Sequence, residues 1–253
     1  MIYLLAALVT FVAKSIMVIT GAGAAFILIP AFYAMGFDLH QSMSTALLLN
    51  VVAMAFASYS YSRIGLINYK LSFPIIIAVL ITSPIGAYCS KFVPRETLLL
   101  LFALFLIFAA SMMIFYKQKK NSSGENFQIS KKQMLTVATP IGALAGFVAG
   151  LLGIGGGNMI IPILIFIGVP ARFAAATTSF IVFFSSLGGF LGRVALGGLN
   201  IELISYTVIA AILGAIFGSY LMKYKLSNKS VKVLIGVVLY MVAAKMLFDY
   251  FVH

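Results

Sequence analysis

Residues 150–162 read GLLGIGGGNMIIP: four glycines in five positions, then an asparagine and a proline, inside a run that is otherwise Leu, Ile and Met. A glycine in a helix interior costs about 1 kcal/mol relative to alanine, so four together interrupt the helix. In soluble proteins glycine loops of this kind cradle anions on exposed backbone N–H groups. Here the loop lies where a lipid tail should be, and its surroundings decide its use.

Of the chain's 253 residues, 63% are hydrophobic and 9% charged, with a mean hydropathy of +1.14. Apolar runs repeatedly reach the roughly 20 residues that a bilayer core demands, the mark of a polytopic membrane protein. A net charge of +12 would suggest nucleic acid as a partner for a soluble chain. In this one the Lys and Arg sit mostly in short loops, where they set topology, and no nucleic-acid partner is expected. Cys89 is the single cysteine; no internal disulfide forms, and no C-x-x-C or Cys/His spacing marks a metal or cofactor site. The first twenty residues, MIYLLAALVTFVAKSIMVIT, lack the basic start and small-residue cleavage site of a secretory signal and are expected to stay in the mature protein.

Displaced by 132 residues, the chain matches itself: GAGAAFILIPAFYAMGF (21–37) falls on GIGGGNMIIPILIFIGV (153–169). At that offset Gly21, Gly23, Pro30, Gly36, Thr45, Gly65, Asn68, Gly86, Tyr88 and Lys91 meet identical residues. Two unrelated apolar helices would match Leu to Leu, not Gly, Pro and Asn in step without a gap, so the chain is a duplication. A polar linker at 117–132 separates residues 1–116 from 133–253.

Each half holds one long apolar block, 2–35 or 133–167, and three ordinary ones, 39–61, 71–90 and 97–116, then 171–192, 201–222 and 230–252. A continuous helix of about 34 residues would run roughly 50 Å, too long for one span, and two full spans need about 40 residues. Two shorter helices hinged at the glycines fit better. If each long block turns back at its glycines, twelve loop cations collect on one side: Arg63, Lys70, Lys117, Lys119, Lys120, Lys131, Lys132, Arg172, Lys223, Lys225, Lys229 and Lys232. The other side keeps Lys91, Arg95 and Arg193. Eight simple spans would instead split them eight to seven, without the cytoplasmic excess that orients membrane proteins. The expected fold is therefore all-α and integral to the membrane: two inverted-topology repeats, each a re-entrant or broken helical hairpin plus three transmembrane helices. Both termini lie outside and the linker is cytoplasmic. Secondary transporters are built this way.

Non-helical backbone survives at membrane depth only where protein buries it or where it lines a wet cavity. The helix that restarts after each turn, near Ala24 and near Gly157, offers free N–H groups and a positive dipole end to an anion. Gly21, Gly23 and Ala24, with Gly153, Gly155, Gly156, Gly157 and Asn158 in the second half, are the candidate substrate contacts. Close helix packing is the competing use of those glycines. Ser44 and Thr45, and their counterparts Thr177, Thr178 and Ser179, open the following helices; their hydroxyls contact substrate or Na⁺, or bond their own helix. Thr178, Ser185, Gly189 and Gly192 share one helix face, and Asn50, Ala53, Ala57 and Ser60 form a similar stripe, lining either a path or a tight contact. Lys14 lies deep in an apolar block, where a charge costs about 2.5–3.5 kcal/mol; it is placed to attract the anion unless it snorkels.

The paired G-x-G-[GA]-[GA]-x(4)-P blocks, followed by SMSTALL (42–48) and AAATTSF (174–180), resemble the TauE/SafE family of membrane transporters, the sulfite exporters, over essentially the whole chain. The resemblance implies a carrier of sulfite, sulfoacetate or a related sulfonate in the cytoplasmic membrane. GAGAA in place of GIGGG lets the first turn approach a ligand less closely. Asp38, Glu96, Glu125, Glu202 and Asp249 all fall in loops or at helix ends, so no carboxylate stands mid-membrane as a proton relay, and H⁺ or Na⁺ coupling and homo-oligomerisation stay open. A paired-carboxylate, Ser/His or metal constellation within the spans is missing, which argues against an enzyme. An anion channel of the same architecture, or a non-transporting membrane subunit, remains the alternative.

Overall fold

A computed structural model describes residues 1–89, 139–152, 157–166, 168–194 and 199–252, with helical positions at 100, 103–104, 106–111 and 114. The linker at 117–132 and Gly153, Gly155 and Gly156 lie outside the described residues, and Gly157 and Asn158 are described as helical backbone alone. All regular structure among the described residues is α-helical. We number the helices α1 (Ile2–Thr20), α2 (Ala25–Ala34), α3 (Leu39–Ser62), α4 (Tyr69–Cys89), α5 (Thr139–Leu152), α6 (Gly157–Phe166), α7 (Ala171–Val194), α8 (Ile201–Tyr224) and α9 (Asn228–Val252). Among the described residues five helical stretches are long and apolar enough to cross a membrane: 2–20, 40–62, 171–191, 201–224 and 228–248. The chain is a multi-pass membrane protein.

The long apolar block does break at its glycines, but not into equal parts. Helix α1 has 19 residues, about 28 Å, close to the thickness of a hydrocarbon core. Its partner α2 has 10 residues, about 15 Å, half a span. The reason is positional: the block opens at residue 2, so a full helix is complete before Gly21 stops it, and Gly36 stops α2 soon afterwards.

The repeat holds at the level of backbone. Moved by the same 132 residues, Ala25–Ala34 lands on Gly157–Phe166 and Leu39–Ser62 on Ala171–Val194. Pro30 and Pro162 occupy the same turn of α2 and α6. Both short helices end in the same way: Gly36 and Gly168 take positive φ, their N–H groups bond Tyr33 O and Ile165 O, and the next residues, Phe37 and Val169, bond Phe32 O and Leu164 O. Paired bonds of this kind satisfy the last carbonyls of a helix.

Packing interleaves the repeats into two compact units, Met1–Asn68 with Ala175–Lys225, and Tyr69–Ala174 with Leu226–His253. In the first, α1 packs along α8, and α3 lies against α2 and α8. In the second, α4 packs along α5. Small residues make these approaches possible, because lipid is as apolar as leucine and helices associate only where their backbones come close. A Cβ on Gly214 of α8 would stand 2.7 Å from the Phe11 carbonyl oxygen of α1, and one on Gly146 of α5 would stand 2.7 Å from Cα of Val79 in α4. The two pairings are equivalent under the repeat: Lys14 faces Gly214 in the first unit, and Gly146 faces Thr82 in the second. Each contact has one large and one small member, and the halves choose opposite sides.

Candidate functional site

The first glycine turn lies wholly within the first unit. Helix α1 stops at Gly21, which has φ 75° and returns its N–H to Val18 O at 3.2 Å. A side chain there is excluded twice, by the left-handed backbone and by Ala175 of α7, whose Cα would lie 2.7 Å from a Cβ. Val18 O also accepts the Tyr61 hydroxyl at 3.0 Å, so fully buried Tyr61, at the far end of α3, ties down the end of α1.

From Gly21 the backbone runs along α7. Gly21 abuts Ala175 and Gly23 abuts Val182, two helical turns or about 10 Å apart. The turn ends where the Ala24 N–H donates to Asn50 Oδ1 at 3.0 Å. Asn50 stands at the middle of α3, so the non-helical backbone reaches the half-height of a membrane-spanning helix. Gly23 leaves room for the Asn50 amide: a Cβ would come within 2.6 Å of Asn50 Nδ2.

Asn50 holds more than the turn. Its Oδ1 also accepts from Lys14 Nζ, and its Nδ2 donates to Ser186 Oγ on α7 at 3.5 Å. Lys14 is 0% exposed and Asn50 2%. A buried ammonium normally demands a carboxylate, but Asp38 and Glu202, the two carboxylates whose side chains are described, are engaged elsewhere. Asp38 caps α3 through the N–H groups of His40 and Gln41, and Glu202 accepts the Tyr3 hydroxyl at 2.8 Å. The hydrogen-bond partner of Lys14 is thus a neutral carboxamide.

Hydroxyls complete the surroundings. Thr177, Thr178 and Ser179 are fully buried, with different commitments. Thr177 Oγ1 accepts the Asn68 N–H at 3.1 Å, and Ser179 bonds back to Ala175 O at 3.0 Å. Thr178 Oγ1 has no hydrogen-bond partner among the described residues. It lies three residues after Ala175 and four before Val182, hence on the face of α7 that packs against the glycine turn. Ser44 and Thr45 are also buried, and Thr45 Oγ1 is likewise unpartnered among the described residues. They precede Asn50 by six and five residues, about 120–140° round α3, and belong to another face.

The structure therefore brings together Lys14, Gly23, Ala24 and Thr178 of the expected site, with Gly21 at the turn's start. It adds Asn50, Ser186 and Tyr61. Asn50 was legible as one member of a polar stripe with Ala53 and Ala57, and a carboxamide in the middle of an apolar span was itself the signal. In the second half α6 begins at Gly157 and Asn158, and the rest of that turn lies outside the described residues. Its sequence does not repeat the cluster, because Gly146 stands where Lys14 would be and Val182 where Asn50 would be. Among the described residues no group of three His, Cys, Asp or Glu gathers as a metal site would.

Comparison with known proteins agrees with this architecture. The family model described as Sulfite exporter TauE/SafE matches residues 6–246. The probable membrane transporter protein YunE of Bacillus subtilis is 25% identical over 82% of this chain and 81% of its own length. The probable membrane transporter protein y4hK of Sinorhizobium fredii is 26% identical over 87% of each chain. Sulfite exporter TauE/SafE family protein 6 of Arabidopsis thaliana is 30% identical over 54% of this chain and 33% of its own. No solved structure matches the chain. With a family model covering nearly its whole length, a helical membrane fold and transporter relatives, this chain belongs to the sulfite exporter TauE/SafE family of membrane transporters.

Proposed function

We propose that the chain is a carrier of a small sulfur oxyanion, with sulfite, sulfoacetate or a related sulfonate as substrate and alternating access as its mechanism. One observation carries the proposal: Lys14, a cation at the half-height of the first unit, has a neutral partner and stands beside the N-terminus of α2. A buried charge without a counter-charge is costly, and an anion bound there supplies one. The N–H groups of Ala25 and Phe26 have no carbonyl within α2 to reach and would face the same ligand. Thr178 brings an unspent hydroxyl to that side of the turn.

Thr177 and Ser179 already use their hydroxyls on the chain and shape the wall, whereas Ser44 and Thr45 lie on another face of α3. In the second half Gly153, Gly155, Gly156, Gly157 and Asn158 are the remaining candidate substrate contacts, offering backbone N–H groups and a carboxamide. The sulfite exporter family match and the sulfite exporter relative of Arabidopsis thaliana favour sulfite over other anions. The twelve-to-three distribution of loop cations puts both termini outside and the linker in the cytoplasm. With no carboxylate at mid-span among the described residues, coupling relies on Na⁺ or on a proton carried by the substrate itself.

Proteoliposomes of the purified protein test this. Vesicles preloaded with sulfite or sulfoacetate are expected to take up the labelled anion by saturable counterflow. Flux that rises linearly without counterflow would make the protein a channel. No movement of any sulfite or sulfonate above protein-free vesicles would reject the proposal.

A further inference from the structure

An empty carrier poses a problem that its loaded form does not. When the anion leaves, Lys14 stays buried, and an unpaired ammonium in that position would hold the protein back from returning. The structure contains an answer, and it depends on the transport role proposed above. Lys14 Nζ and the Ala24 N–H, the two donors best placed for an anion oxygen, converge on one atom, Asn50 Oδ1.

We propose that the Asn50 carboxamide is a resident substitute for the transported anion. Its oxygen occupies the position of a substrate oxygen in the empty carrier, and substrate enters by displacing it. Three features fit this role. The carboxamide is neutral, so it satisfies Lys14 without competing as a charge; an incoming oxyanion adds the attraction of opposite charges in a buried site, which the carboxamide lacks, and so displaces it. It is lightly tethered, since its contact with Ser186 Oγ is 3.5 Å long. It has somewhere to pivot from, because Gly23 presents bare backbone to its amide nitrogen. The unpartnered Thr178 Oγ1, fully buried on the α7 face that packs against the turn, independently marks this place as built for a further polar group.

Four consequences separate a substitute from a merely structural residue. In Asn50→Ala the competitor is gone, so half-saturating sulfite in a thermal-shift titration should fall about tenfold, the value of one charge-assisted hydrogen bond no longer broken on binding. Exchange of internal for external sulfite, which never requires the empty carrier to turn over, should be slowed far less than net efflux. Net efflux, which does require it, should slow by about tenfold, because Lys14 must then reorient unpaired. In Asn50→Asp a fixed carboxylate should satisfy Lys14 permanently and abolish both sulfite-induced stabilisation and exchange.

If Asn50→Ala is not monodisperse, Asn50→Ser, too short to reach both donors, is expected to give the same split between exchange and efflux. An unchanged or weaker sulfite affinity in the purified variant, or equal slowing of exchange and efflux, overturns the substitute role. Sulfite binding retained by Asn50→Asp overturns it too. Wild-type protein that binds and exchanges no anion overturns instead the transport role on which the inference rests.

Discussion

The two glycine segments occupy the same place in a duplicated sequence and carry different chemistry. The first half provides Lys14, Phe26 and Asn50; at the equivalent positions the second half provides Gly146, Asn158 and Val182. The helices α2 and α6, and α3 and α7, match residue for residue in extent. What the duplication preserved is punctuation: glycines that stop a helix, prolines, and the left-handed cap. Divergence affected charge and carboxamides. The charge at the first turn, buried Lys14, has no counterpart at the equivalent position of the second half, where the start of α6 carries an amide, Asn158.

Packing explains why the cation could persist in only one half. Lys14 has a glycine opposite it on α8, whereas Gly146 has Thr82 and the Val79 backbone of α4. Gly146→Lys, which would copy the first half into the second, should therefore be the most damaging change. It should lower stability by more than about 3 kcal/mol, combining overpacking with an unpaired buried charge, and be seen as a collapse of the thermal midpoint in detergent. A variant as stable as wild type would show that the exchanged α4–α5 contact is not tight.

Gly23→Ala tests the first turn itself. Its new methyl meets the Asn50 amide, and a loss of about 1–3 kcal/mol is expected. In the Gly23→Ala/Asn50→Ala double variant the two losses should fail to add, because the second change removes what the first collides with. Strict additivity would mean that the turn and α3 are not coupled. Tyr61→Phe removes one of the two donors to Val18 O and should cost about 1 kcal/mol, leaving the Gly21 N–H in place. Smallest is Lys14→Met, which should change stability by less than about 1 kcal/mol in the absence of anion, since it removes a desolvated charge while Asn50 Oδ1 keeps the Ala24 N–H. A marked loss of stability there would identify Lys14 as a structural strut rather than a binding group.

Much of this was legible in the sequence, for a physical reason. Glycine clusters and prolines act locally, so GAGAA, GIGGG, Pro30 and Pro162 announce the broken hairpins and the repeat from their own positions. Lys14 announces itself by depth in an apolar run. Its partner does not, because Asn50 lies 36 residues away and meets it only through the packing of α1 and α3. The pairing of α1 with α8, and of α4 with α5, was hidden for a related reason: apolar helix faces look alike to hydropathy, and only the spacing of small residues such as Gly142 and Gly146, or Gly214 and Gly218, distinguishes a helix contact from a lipid contact. The unequal lengths of α1 and α2 follow from the same punctuation, because Gly21 and Gly23 stand near the end of the block 2–35.

The most direct test compares sulfite-dependent thermal stabilisation of the purified protein with that of Lys14→Met. A ligand that binds the native state raises its apparent stability with concentration, by about 2.7 kcal/mol at a hundred times Kd. The account predicts a saturable shift for the wild type and none for Lys14→Met at equal intrinsic stability. The same shift in both proteins would contradict it, by showing that the anion binds away from the first glycine turn.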